Sequence, residues 1–236
     1  MLSLLFLGFL IGLAHAFEAD HMAAVSSLVS GQTKRRSIIQ HGALWGVGHS
    51  LTLFVVGGGV LITGSAISPQ VATGLEFTVG LMLLALGAHV LYRLHRDRVH
   101  FHMHGHNDGT AHLHLHSHAD EPRAHDAERH RHSHPDHAAL RTLAIGMMHG
   151  LAGSAALVLV VAASMSSLLT GVGYILLFGA GSVLGMALMS LAIAVPLKYT
   201  AKSLTRLNGV LQLMIGLFTI GIGVLTVFET SKLLFS

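Results

Sequence analysis

The sequence predicts an all-α integral membrane protein, with six transmembrane helices in a 3+3 inverted repeat joined by a disordered histidine-rich loop. Three observations predict it: the scarcity and placement of charge, the spacing of the apolar stretches, and a self-similarity between the two halves. Of 236 residues, 52% are hydrophobic and 11% charged, where an ordinary soluble domain carries roughly 25% charged residues. Fourteen of the 25 charged residues fall between Arg93 and Arg141. The remainder of the chain is too poor in charge to cover a water-soluble globule.

A hydrocarbon core of about 30 Å needs about 20 apolar residues per helix. Six stretches qualify: Leu2 to Val29, Ala43 to Ile62, Val71 to Tyr92, Leu143 to Ala163, Gly173 to Pro196 and Leu207 to Phe228. The first resembles a secretory signal with an Ala14-His15-Ala16 cleavage site, but it lacks a basic start and its apolar pattern resumes after His21, so it reads as helix 1. Thirteen of the 14 Lys and Arg residues lie in the connections after helices 1, 3 and 5. The positive-inside rule makes that side cytoplasmic. The expected product is a multi-pass protein of the cell (inner) membrane, termini outside and the histidine-rich loop inside.

Helices 1 to 3 and 4 to 6 align at an offset of 133 to 136 residues. Ile11-Gly12-Leu13-Ala14-His15 matches Ile145-Gly146-Met147-Met148-His149, and Gly46 to His49 matches Gly179 to Ser182. Leu75-Glu76, Gly80-Leu81 and Gly87 match Leu211-Gln212, Gly216-Leu217 and Gly223. Units with an odd number of spans must lie upside down relative to each other, an architecture that places a substrate site near the midplane. The expected divisions are therefore 1–92, the loop 93–141, and 142–236.

Without cysteine there is no disulfide, thiolate ligand or thiol redox chemistry, so metal chemistry must use N and O ligands. Nucleic acid is excluded as a partner because the Lys and Arg residues sit between apolar spans instead of clustering on a folded face. Charged groups in a bilayer cost about 2.5 to 3.5 kcal/mol each on insertion scales, which makes intramembrane His, Asp and Glu functional candidates. Helix 1 carries His15, Glu18, Asp20 and His21 in HAFEADH. At about 100° per residue, Asp20 points about 140° away from His15, so an ideal helix cannot aim all four at one ion. Either the helix is broken there or Asp20 orients an imidazole. His49, beside Gly48 in helix 2, and His149 in helix 4, the repeat mate of His15, are the further candidate metal ligands.

The 93–141 connection holds 14 of the 20 histidines, many alternating. His100, His102, His104, His106, His112, His114, His116, His118, His130, His132 and His134 form an expected accessory metal-binding set. Solvated imidazoles titrate near pH 6.5, so binding there should fade below about pH 6. The composition offers no apolar periodicity that would fold the loop.

At HAFEADHMAAV the chain resembles the nickel/cobalt permease family, whose signature is H-x4-D-H. His15, Ala16, Ala19, Asp20 and His21 match it, with Glu18 where Asp is usual. Gly48-His49-Ser50 is similar to the family's second motif. Better-known members have eight spans and Phe-Asp-Thr in the helix where this chain has Met148-His149-Gly150. The HGLAGS version is similar to a branch associated with urease accessory permeases. The resemblance implies a non-enzymatic transporter with no cofactor, whose cargo is Ni(II) first and Co(II) second. Its implied partners are the metal ion and the bilayer, with a homo-oligomer and a metallochaperone or a urease or hydrogenase maturation pathway as candidates.

Two other metal readings compete. A zinc or other exporter of the same superfamily would share histidine-rich loops, and a membrane-anchored metal store or sensor would need only the loop. An intramembrane metalloenzyme would require H-E-x-x-H, which the sequence lacks.

Overall fold

The computed structural model describes residues 2–30, 35–65, 67–96, 99–105, 111–117, 135–150, 167–203 and 205–234. Their elements are α1 (Leu2–His15), α2 (Ala19–Val29), α3 (Arg35–Thr63), α4 (Pro69–Arg96), β1 (Val99–Gly105), β2 (Ala111–Ser117), α5 (Pro135–His149), α6 (Leu168–Ser203) and α7 (Thr205–Leu234). Among the described residues four helices are long and apolar enough to cross a membrane, and α1 with α2 makes a fifth span if that bent pair is one. The fourth expected span is described only as far as Gly150.

The predicted first helix is interrupted. α1 and α2 meet at 58°. The break spans Ala16 to Glu18, where Phe17 N–H donates to the Ala14 carbonyl at 2.9 Å and Glu18 N–H to the His15 carbonyl at 3.1 Å. Glu18 itself is extended, with ψ 152°. Asp20 then falls in the first turn of α2, where a carboxylate complements the free N–H groups of a helix start. Its Oδ1 accepts the His21 N–H at 2.9 Å.

Large apolar side chains face outward along the bundle, among them Phe6, Val55, Leu81, Leu188, Met214 and Leu225. A surface of this kind is suited to lipid. The buried centre lies where α1, α2, α3, α5 and α6 meet, and holds Trp45, Tyr174, Phe178 and Met186 together with four histidines. α4 packs along α7 at one side, joined to the centre through α2 and α6. There the Ser27 and Thr219 hydroxyls hydrogen-bond at 2.9 Å, an interhelical polar contact of the type lipid-embedded helices use.

Glycines set the close approaches, and the approaches come in exchanged pairs. A Cβ at Gly12 would strike the Phe178 carbonyl, and one at Gly146 the Trp45 carbonyl. Likewise Gly181 faces the Phe9 carbonyl and Gly48 the Leu143 carbonyl. Between α4 and α7, Gly87 lies against the Gly216 carbonyl and Gly223 against the Gly80 carbonyl. In each pair the residues of one contact are related to those of the other by the 133 to 136 offset, with the halves interchanged.

Part of the linker is folded, which corrects the expectation of a wholly disordered loop. β1 and β2 form an antiparallel two-stranded sheet containing His100, His102, His104, His112, His114 and His116. HFHMH and HLHLH alternate polar and apolar residues, and that period of two is itself the strand pattern. His106, His118, His130, His132 and His134 lie outside the described residues.

Candidate metal centre

The break in the first span brings the end of α1 and the start of α2 to one point. His15 closes α1, Asp20 and His21 open α2, His49 comes from the middle of α3, and His149 ends α5. All six candidate residues of the bundle, Glu18 included, are joined in one hydrogen-bonded and ring-packed cluster. His15 Nδ1–H donates to Glu18 Oε1 at 2.8 Å, and His21 Nδ1–H donates to Asp20 Oδ1 at 2.9 Å. His149 Nε2–H donates to Asp20 Oδ2 at 3.0 Å, so one carboxylate holds imidazoles from both halves of the chain.

Those bonds fix tautomers. A carboxylate accepts the Nδ1–H hydrogen bond of His15 and of His21, which keeps the proton on Nδ1 and leaves each Nε2 with its lone pair. His15 Nε2 lies 3.2 Å from His49 Nε2. His21 Nε2 has no hydrogen-bond partner among the described residues. The ligand atoms of His15, His21 and His49 lie within 4.8 Å of one another, and those of Asp20, His21 and His149 form a second such group. The four imidazoles are between 0% and 6% exposed. Glu18 and Asp20, with side chains 47% and 29% exposed, lead from this centre toward the surface.

Both alternatives left open by the helix geometry therefore apply: the helix is broken, and Asp20 orients imidazoles. Glu18 plays the same part for His15. The two groups differ in what they offer an ion. Asp20 uses both oxygens on His21 and His149, leaving His21 Nε2 and His149 Nδ1 buried without a partner among the described residues. In the His15, His21 and His49 group, by contrast, His15 Nε2 and His49 Nε2 meet each other and no carboxylate oxygen is among the grouped ligand atoms. Three buried imidazoles whose ligand atoms lie so close suit a borderline divalent ion.

Sequence reasoning missed Trp45. Its ring lies 5.4 Å from that of His21, 6.2 Å from His49 and 5.2 Å from His149. The signal was available, since Trp45 stands four residues before His49 and so on the same helix face. His41 is outside the cluster, its Nδ1–H donating to the Ser37 carbonyl at 2.7 Å.

Residues 3–218 match the family model described as the transmembrane region of cytochrome c biogenesis proteins. The chain belongs to that family. It is also 34% identical over 218 residues to the urease accessory protein UreH of Bacillus sp. (strain TB-90), covering 90% of this chain and 86% of the relative. No solved structure matches. The relative's name agrees with the urease accessory proteins that the HGLAGS version resembles, while neither comparison carries the nickel/cobalt permease signature and the matching family model has a different description. The absence of cysteine closes thiol chemistry to this member of the family.

Proposed function

We propose that this protein transports a divalent transition-metal ion across the membrane, Ni(II) first and Co(II) second, with His15, His21 and His49 as the ligands that receive it. The observation that carries the reading is the buried trio of imidazoles whose ligand atoms lie within 4.8 Å of one another, two of them oriented by carboxylates. Such carboxylate–histidine pairs are how metal-binding imidazoles are held in place. Glu18 and Asp20 orient, and the Asp20–His149 bond ties the ligands of the first half to the second half. Nickel is placed first because the resemblance of the HAFEADH and Gly48-His49-Ser50 motifs to nickel/cobalt permeases implies it, and the similarity to a urease accessory protein is consistent with that order.

The exchanged glycine contacts support an inverted repeat, since an approximate two-fold relation between the halves would generate each contact twice. On that reading the centre sits where the halves meet. The cytoplasmic side is the one bearing the basic connections, so reporters fused after Arg141 and after Ser236 should report opposite sides. Reporters on the same side would refute this topology.

Uptake of radiolabelled nickel by cells producing the chain, with cobalt and zinc as competitors, tests the function. Accumulation inhibited more by cobalt than by zinc is expected. Nickel-independent flux of zinc would favour the exporter reading. Trp45 is the only tryptophan, so quenching of its emission by Ni(II) reports occupation of this centre directly.

A further inference from the structure

The register of the linker hairpin carries an inference that does not depend on the transport reading. β1 and β2 pair with His100 opposite His116, His102 opposite His114, and His104 opposite His112. Residues two apart in a strand share a face, so the six histidines occupy one face of the hairpin. Phe101, Met103, Leu113 and Leu115 occupy the other face. Neither strand contains an acidic or basic residue that would compete with imidazole for that face.

We propose that this face is a built metal site, a three-rung histidine ladder that binds a borderline divalent transition-metal ion between two adjacent rungs. Directly opposite residues have Cβ atoms about 4.5 to 5.5 Å apart. Successive rungs are about 6.7 Å apart, two residues at about 3.3 to 3.4 Å each. Two adjacent rungs thus bring four histidine positions to one face at a backbone spacing from which imidazoles can reach a common ion at metal–nitrogen distances of about 2.0 to 2.1 Å. The register is what makes the site. A slip of one residue in one strand would set its apolar residues opposite histidines and send its imidazoles to the other face. A two-stranded hairpin alone is marginally stable in water, so binding the ion and holding this register are the same event.

Two exchanges keep composition constant and change only which face a histidine occupies, and one single substitution breaks the same rung from the other strand. The full-length chain in detergent is titrated with Ni(II) at pH 7.5 against a chromogenic chelator. The double variant H102M/M103H exchanges neighbours and removes one member of the middle rung; H114Q breaks the same rung from the other strand. A second exchange, H132S/S133H, moves one histidine of the 130–134 run and serves as the control. Both middle-rung variants should weaken the tightest linker site at least tenfold, while the control stays within about twofold of the parent. Trp45 quenching should be the same in all four proteins, which separates this site from the intramembrane one and verifies an intact bundle. Middle-rung variants that bind within threefold of the parent would show that chelation follows histidine content and would overturn the ladder. So would a control that weakens binding equally.

Discussion

The histidines of the bundle and those of the linker hairpin differ in what stands beside them. In the bundle, His15, His21 and His149 each donate to a carboxylate and are buried among other rings. In the hairpin, histidines face histidines across the strands with no acid in either strand. A carboxylate presets both the tautomer and the direction of a ring, so an ion meets ligands already aimed. A ladder of imidazoles must order around the ion as it binds. The first arrangement suits a selective site in a dry passage. The second suits reversible capture from water, with an affinity set by pH.

Asp20 is where this difference should be largest. Its two oxygens hold His21 and His149 at once, so Asp20→Ala frees one ligand and cuts the connection to α5. Loss of an orienting partner costs about 10- to 100-fold in affinity or activity at metal sites, and a carboxylate with two such partners belongs at the upper end. Nickel uptake normalised to inserted protein should fall about 100-fold. Uptake above a tenth of the parent level would remove Asp20 from the mechanism.

His49→Ala and His149→Ala come next and separate ligand from support. His49 faces His15 nitrogen to nitrogen, whereas His149 bonds to Asp20 and packs its ring on that of His21. Removing His49 should weaken Trp45 quenching by Ni(II) about tenfold or more in midpoint. Removing His149 should cost less, about threefold, because Asp20 keeps its bond to His21. Equal losses would place His149 on the ion itself and move the site toward the Asp20, His21 and His149 group.

These contrasts bear on what was legible in the sequence. Four of the six apolar spans were, and a fifth if α1 and α2 make one, because lipid leaves helices few alternatives. So was the grouping of His15, Asp20, His21, His49 and His149, because ionisable groups in such spans need a reason. The pairing of His15 with His149 could be read from the repeat. The contact of Asp20 with His149 could not, since it joins residues 129 apart through the packing of separate helices. The break at Ala16 to Glu18 was indicated only by geometry, because neither Gly nor Pro marks it. The hairpin was missed for a different reason. Alternating histidines are at once a chelating spacing and a strand periodicity, and only the backbone pairing tells the second from the first.

Glu18 should matter less than Asp20, and the reason is again its surroundings. It holds only His15, and its side chain is nearly half exposed. In Glu18→Gln the amide oxygen still accepts the His15 proton, so orientation survives while the negative charge is lost. A two- to threefold fall in uptake is expected, well below the 10- to 100-fold range for loss of an orienting group. A fall as large as that of Asp20→Ala would mean that Glu18 binds the ion at some stage of passage.

The smallest effect on flux should come from removing the linker histidines altogether. A deletion should run from His100 to His134, since Pro135 begins α5 and carries the helix that ends in His149. If the hairpin only captures ions from water, the bundle retains every ligand it needs, and uptake at saturating nickel should stay within about twofold of the parent. The deletion should instead change what the purified protein retains. The parent should lose linker-bound Ni(II) as pH falls from 7.5 to below about 6, because protons compete for imidazoles that titrate near 6.5 in water and must be neutral to bind. The deleted chain should lack that pH-dependent fraction while Trp45 quenching persists. Complete loss of uptake in a correctly inserted deletion would reverse the comparison, making the linker the working site and the buried histidines a structural core.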